Sequence, residues 1–245
     1  MKIAISGYGK MGHEIELIAL DRGHEIIVTI DDPAGWMKEK EILPQADVAI
    51  DFSTPETVMD NIRHCFDLNV PIVVGTTGWH RLLEEIQHEC LTRKQSLFFA
   101  PNFSIGVNLF FELNRCLATL MSNWPDYEIS LEETHHIHKQ DSPSGTAIVL
   151  ADDIIQYLGR KKGWVKDKST DPEDIGIRSF RLEDVTGTHK VIYDSPIDTI
   201  EIQHSAKSRK GFALGAVLAA EWLPGNTGFF GMKDLFQAIK NKEDR

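Results

Sequence analysis

The densest chemistry in the chain is a run of fourteen residues, Glu133-Thr134-His135-His136-Ile137-His138-Lys139-Gln140-Asp141-Ser142-Pro143-Ser144-Gly145-Thr146, which holds three of the ten histidines within four positions. Histidine gives or takes a proton near neutral pH, and lysine holds a carboxylate or donates a proton when its pKa is lowered. Residues 127–136 read as a strand, so His135 shares the face of Ile129 and Leu131 while His136 faces the other way. An extended chain that persisted to residue 139 would bring Lys139 to the His135 side. The run then turns at Pro143 and starts the helix AIVLADDIIQYL, whose free N–H groups at Gly145 and Thr146 form a seat for an anion. A cationic patch beside a helix N-terminus, in a chain of net charge −11, suits a small carboxylate substrate. Two blander readings stand beside this one: zinc held through His136 and His138, and a surface cluster without function. His189 and His204 read as structural or solvent-facing.

A second constellation opens the chain. The loop Gly7-Tyr8-Gly9-Lys10-Met11-Gly12 is a GxGxxG that follows a short apolar strand, opens an amphipathic helix and begins a β-α-β unit. In that context Gly7 permits a tight turn, Gly9 lets backbone approach a pyrophosphate, and Gly12 lets helix pack on strand. Asp31 follows Gly12 by 19 residues at the end of the second strand, where an acid binds an adenosine ribose. Asp32 is either a second acid repelling a 2′-phosphate or a solvated turn residue. No Arg follows closely, so NADH is expected over NADPH, with Lys10 the residue best able to rescue phosphate binding. Gly75-Thr76-Thr77-Gly78 and Ala100-Pro101-Asn102-Phe103 each sit just past a predicted strand, at the sheet edge where ligands bind in open α/β folds.

The elements that must position these residues follow from patterning. Strands at 2–6, 24–32, 46–54, 70–78 and 96–103 alternate with helices, a β-α-β grammar that builds a parallel sheet covered on both faces. After about Gly106 the grammar changes to a helix at 107–122, the strand 127–136, the helix 145–158 and a polar connector at 159–176. Three alternating runs between 177 and 206 then look like antiparallel strands with one solvated face. Helices at 211–223 and 232–241 are expected to pack back on the first domain. The fold class is therefore α/β, a Rossmann-like parallel-sheet domain at 1–106 with 212–245, plus a second α+β domain at 107–211 with a mostly antiparallel sheet.

Composition is that of a globular chain: 245 residues, 42% hydrophobic and 26% charged. The acidic balance disfavours nucleic acid and anionic membranes as partners. The longest uncharged apolar stretch, Phe212 to Ala220, is far short of the ~20 residues of a membrane span. The N-terminus matches neither a signal nor a transit peptide. Cys65, Cys90 and Cys116 form no CxxC pair, so they read as reduced thiols in a cytoplasmic protein.

The string His135-His136-x-His138-Lys139-x-Asp141-x-Pro143-Ser144-Gly145-Thr146, with GTTG at 75–78, PNFSIGVN at 101–108 and SRKGFALGAVLAAEWL at 208–223, resembles the 4-hydroxy-tetrahydrodipicolinate reductases (dihydrodipicolinate reductases) of lysine and diaminopimelate biosynthesis. The resemblance covers nearly the whole chain. It implies NAD(P)H-dependent reduction of a small cyclic dicarboxylate, and a homotetramer assembled through the sheets of the substrate domains. It makes His135 the proton donor and acceptor, Lys139 a proton donor, and His136, Gly145 and Thr146 the holders of the substrate carboxylates. The glycine loop, Asp31, Gly75-Thr76-Thr77 and Ala100 to Phe103 would line the cofactor, with no metal required. Two departures favour NADH. The family's glycine loop is commonly one residue longer, with Arg where Lys10 stands, and Asp32 replaces a basic residue beside the ribose-binding acid. The rival readings are an amino-acid dehydrogenase acting on another dicarboxylate, and a regulator that senses NADH without turnover.

Overall fold

The computed structural model describes residues 1–32, 35–36 and 41–243 and divides into two compact units, residues 1–105 with 209–245, and residues 106–208. In the first unit, strands β1 (Lys2–Ser6), β2 (Glu25–Ile30), β3 (Val48–Asp51), β4 (Ile72–Val74) and β5 (Ser96–Phe99) alternate with helices α1 (Lys10–Asp21), α2 (Val58–Asp67) and α3 (Leu83–Thr92). A late strand, β11 (Gly228–Phe230), completes a six-stranded sheet in the order β11-β5-β4-β3-β1-β2, with every pairing parallel. All four residues of β3 and all three of β4 are buried, as expected when helices cover both faces of a sheet.

Strand alternation divides the core. Ala4, Ala49, Ile72, Val74 and Leu97 point toward α2 and α3, where Ile62, Phe66 and Ile86 meet them. Ile3, Ile5, Ile50, Val73 and Phe98 point the other way, against Ile15 and Ala19 of α1 and against α6 (Lys210–Trp222). The alanines of α6 (213, 216, 219 and 220) are fully buried and let the helix lie close to the sheet. Gly215 is obligatory there: a Cβ on it would stand 1.8 Å from the Phe103 carbonyl oxygen. The chain's end thus returns to the first unit, with α7 (Met232–Glu243) packed beside α6 and β11.

The second unit contains α4 (Ile105–Met121), β6 (Glu128–His135), α5 (Gly145–Leu158), β7 (Gly163–Lys166), β8 (Asp174–Arg181), β9 (Gly187–Asp194) and β10 (Thr199–Ala206). Its sheet runs β10-β9-β6-β8-β7. Burial alternates strictly along β6 and β9, whose inward residues Ile129, Leu131, Val191 and Tyr193 pack against α4 and α5. The expected mostly antiparallel sheet is mixed: β9 pairs antiparallel with β6 and β10, whereas β6-β8 and β8-β7 are parallel. Strand β6 inserts between β8 and β9, so these two consecutive strands form no hairpin. The 159–176 connector carries β7, a four-residue edge strand too short and too polar to stand out in the sequence.

Candidate active site

Register in the first sheet brings one row of residues level: Ser6 pairs with Ile30 and Asp51, Asp51 with Val74, and Val74 with Phe99. The next residue on each strand, Gly7, Asp31, Phe52, Gly75 and Ala100, therefore lies at one sheet edge. Backbone bonds continue the row past the strands: Gly7 N–H donates to Ile30 O (2.8 Å), Phe52 N–H to Ser6 O (2.8 Å) and Gly75 N–H to Asp51 O (2.8 Å). Strands β2 and β3 flank β1 on opposite sides, so the crossover after β1 and the one after β3 leave in opposite directions, which opens a crevice at the strands' carboxyl ends. A cavity of about 260 Å3 lies there, lined by Gly7, Gly9, Asp31, Trp36, Phe52 and Thr54 among others.

The glycine loop has the form a dinucleotide requires. Gly7 has φ +83°, and a Cβ on it would stand 2.3 Å from Phe52 O. A Cβ on Gly12 would stand 2.5 Å from Gly7 O, so glycine is what lets α1 start this close to the strand. Gly9 differs, for a Cβ there would meet nothing within 4 Å, leaving open space above the N-terminus of α1. No side chain caps that helix and its first turn carries no acid, so its N–H groups and positive dipole end are available to a phosphate. These residues fit a nicotinamide dinucleotide. Asp31 Oδ1 accepts from Tyr8 N–H at 3.0 Å, and the acid stays exposed at the rim. Asp32 caps a local turn by accepting from Gly35 N–H at 2.8 Å, which gives it the turn role weighed from the sequence; residues 33–34 lie outside those described.

The GTTG and APNF segments divide between exposed and buried residues. Thr77 and Pro101 are exposed and Asn102 half-buried, but Thr76, Ala100 and Phe103 are buried. The Thr76 hydroxyl donates to Asp51 Oδ1 at 2.6 Å and its carbonyl accepts from Trp79 Nε1 at 2.6 Å. Asp51, fully buried, also accepts from Ser53 Oγ (2.9 Å) and Asn61 Nδ2 (2.8 Å). This carboxylate ties the end of β3 to the loop after β4. Gly75 lies under the Phe52 ring, where a Cβ would come within 2.2 Å.

In the second unit, His135 is 7% exposed on the inner face of β6, with Ile129 and Leu131 as expected. The extended chain stops there. Lys139 N–H donates to His136 O at 3.1 Å, closing a turn in place of the continued strand, and the Lys139 ammonium pairs with Asp141 Oδ1 at 2.8 Å. Ser144 then caps α5, its hydroxyl accepting from Ala147 N–H at 3.3 Å. Gly145 and Thr146, exposed and half-buried, present N–H groups without intrahelical acceptors. His136 is half-buried and His138 exposed. Among the described residues the one close gathering of ligand-type side chains is Glu133, His135 and His189, so the zinc pair drawn through His136 and His138 finds no third ligand.

Glu133 has the same strand parity as His135, which the sequence shows, but it also stands directly opposite His189 on β9 and Ser179 on β8, which the sequence does not. It is fully buried and accepts from Ser144 N–H (3.0 Å), Ser179 Oγ (2.7 Å) and the Arg181 guanidinium (3.4 Å). Burial pushes its pKa up, but the bonds from Ser144 and Ser179 and the charge of His135 outweigh this and hold it below the usual carboxylate range. His135 is pushed down by burial, opposed by Glu133. His189 is pushed down to about 3 by burial and by His135, so it is neutral; it is buried and not solvent-facing. Arg181 also donates to Asp141 O (2.6 Å) and Lys139 O (3.3 Å), clamping the histidine loop to the sheet. A guanidinium and two further hydrogen-bond donors thus already occupy the Glu133 carboxylate. A larger cavity, about 480 Å3, lies by Glu128 at the other end of β6 and is lined by none of the candidate residues.

The comparisons with known proteins agree over both units. The model described as "Dihydrodipicolinate reductase, N-terminus" matches residues 1–103 and that described as "Dihydrodipicolinate reductase, C-terminus" matches residues 106–236. A 4-hydroxy-tetrahydrodipicolinate reductase of Christiangramia forsetii is 48% identical over 239 residues, 98% of this chain and 99% of the relative. Another, from Neisseria meningitidis serogroup B, is 35% identical over 90% of this chain and 83% of its own length. Among solved structures, the dipicolinate-bound dihydrodipicolinate reductase of Paenisporosarcina sp. TG-14 shares the fold with a TM-score of 0.76 at 22% identity, covering 94% of this chain and 97% of that one. An amine dehydrogenase from Mycobacterium smegmatis shares it more loosely, with a TM-score of 0.58 at 9% identity over 93% of each chain. With both family models together spanning nearly every residue and close relatives matched end to end, the chain belongs to the dihydrodipicolinate reductase family.

Proposed function

We propose that this protein reduces 4-hydroxy-tetrahydrodipicolinate to tetrahydrodipicolinate in lysine and diaminopimelate biosynthesis, consuming NAD(P)H. Loss of water from the 4-hydroxy compound and addition of one hydride and one proton account for the product. The observation that carries the reading is the buried His135, 3.6 Å from Glu133 and within reach of the Lys139 charge, in a chain related end to end to a reductase of that name. Residues 1–106 with 212–245 form the dinucleotide-binding domain, and residues 107–211 the substrate and oligomerisation domain.

When bound, the reduced nicotinamide supplies the hydride. The chain does the rest. Gly145 and Thr146 N–H groups, with His136, hold the substrate carboxylates at a helix end whose dipole favours anions. His135 gives or takes the balancing proton, and Lys139, hydrogen-bonded to Asp141, donates a proton beside it. At the other site the N-terminus of α1 and the loop from Gly7 to Gly12 hold the pyrophosphate, Asp31 the ribose hydroxyls, and Gly75 to Thr77 and Ala100 to Phe103 line the nicotinamide side. With Asp31 at the rim, NADH is preferred and NADPH is used less well. The protein acts in the cytoplasm as a homotetramer joined through its second sheet, whose β9-β10 turn leaves Ile197 92% exposed.

Turnover by His135→Ala and Lys139→Ala, set against NADH affinity by fluorescence, tests the roles. Each variant is expected to lose at least about a hundredfold in kcat, the scale of one general acid, with cofactor affinity kept. Near-normal turnover in both would refute the assignment.

A further inference from the structure

Glu133 has no assigned role, yet Ser144, Ser179 and Arg181 bond to it and His135 and His189 lie within 3.8 Å of it. Its Oε1 is taken by Ser179 Oγ (2.7 Å) and Arg181 (3.4 Å). Its Oε2 accepts from Ser144 N–H (3.0 Å) and faces His135 Nδ1 at 3.6 Å. That ring nitrogen is buried without a hydrogen-bond partner, and a closing movement of about half an ångström would bring it within hydrogen-bond distance of the carboxylate. The opposite edge of the ring is kept clear. A Cβ on Gly187 would stand 3.2 Å from both Cδ2 and Nε2 of His135, so glycine at that point of β9 preserves room at Nε2.

We propose that Glu133 is a positioning residue for the reduction: its carboxylate holds the His135 proton on Nδ1, leaving Nε2 for proton exchange, and through Ser144 it fixes the anion seat to the same anchor. The inference rests on the reading above that His135 handles the proton. The groups facing His135 are Glu133 on β6, Lys139 and Asp141 in the following loop, Arg181 on β8 and His189 on β9. Of these, Lys139 and Arg181 disfavour the imidazolium, and Glu133 is the main group that favours it.

Glu133→Gln keeps the side chain's shape and an acceptor for Ser144 N–H while removing the charge. His135 then loses its proton at lower pH, so the falling limb of kcat/KM against pH should move down by about one unit, a tenfold loss above the limb, while KM for NADH stays unchanged. A folded variant whose limb does not move overturns the proposal. A second measurement needs no variant at Glu133: 15N correlation spectra of the wild type, with His135 assigned through His135→Gln. They should show the neutral ring protonated on Nδ1, and an Nε2-protonated ring overturns the proposal. If the wild type fails to reduce the substrate, the functional reading falls while the 15N result still decides this inference.

Discussion

Asp51 ties the end of β3 to the loop after β4, and Asp51→Ala tests whether that sheet edge is held by a buried carboxylate. The side chain is inaccessible to solvent and receives Thr76 Oγ1 at 2.6 Å, Asn61 Nδ2 at 2.8 Å and Ser53 Oγ at 2.9 Å. Hydrogen bonds to charged groups are each worth about 1.5–3 kcal/mol. Not all are lost in full, because Asn61 Nδ2 also reaches Ser6 Oγ and Ser53 Oγ at 3.1 Å each. Counting Thr76 and one share of Asn61 gives a loss of about 3–6 kcal/mol, which relief of the buried charge reduces to about 3 kcal/mol. In thermal unfolding followed by circular dichroism this corresponds to a fall of about 6–12 °C. Asp47→Ala is the matched control, because that acid accepts from Lys2 N–H at 2.7 Å on the exposed surface and should cost less than about 1 kcal/mol. If Asp51→Ala costs no more than Asp47→Ala in urea titrations, the carboxylate is not what ties β3 to the Thr76 loop.

Gly12→Ala, whose methyl would meet Gly7 O at 2.5 Å, should destabilise the fold by about 1–3 kcal/mol, whereas Gly9→Ala, with no atom within 4 Å, should leave stability within about 0.5 kcal/mol and weaken NADH binding at least about tenfold. Unchanged NADH affinity in Gly9→Ala, by calorimetric titration, would mean the pyrophosphate lies elsewhere. His189 has a folded pKa of about 3 against an ordinary value of 6.5, so its stabilising effect is complete above about pH 6.5 and is lost as pH falls toward 3. Between about pH 7.5 and 5, His189→Asn should therefore lose about 2 kcal/mol less stability than the wild type. Identical pH dependence in the two proteins would show that the ring is not held neutral.

Most of the first unit was readable because a parallel sheet covered on both faces leaves unbroken apolar runs, as at Val48–Asp51 and Ile72–Val74. The glycine loop was readable for a related reason: Gly7 and Gly12 answer to local backbone geometry and the close start of a helix. The histidine run announced a site, and strand parity placed His135 correctly on the inner face. What parity could not supply was strand pairing. Ser179 and Arg181 reach Glu133 because β8 runs parallel to β6, with Glu133 opposite Ser179 and His135 opposite Arg181, a partnership that alternation along one strand does not encode. The turn that carries Lys139 round to Asp141 was missed because no glycine or asparagine marks it; a backbone bond from Lys139 to His136 closes it. The support beneath the Thr76 loop was hidden from strand parity too: the Thr76 hydroxyl donates to Asp51, an acid that in sequence only ends an apolar strand.

The central claim is that this chain uses a reduced nicotinamide to reduce a cyclic dicarboxylate. The most direct measurement is the loss of near-ultraviolet absorbance when purified protein meets NADH and freshly generated 4-hydroxy-tetrahydrodipicolinate, repeated with NADPH. Rapid oxidation dependent on the substrate is expected, and faster oxidation with NADH if the exposed Asp31 takes the ribose as proposed. Demonstrable NADH binding with no oxidation of either cofactor would contradict the account.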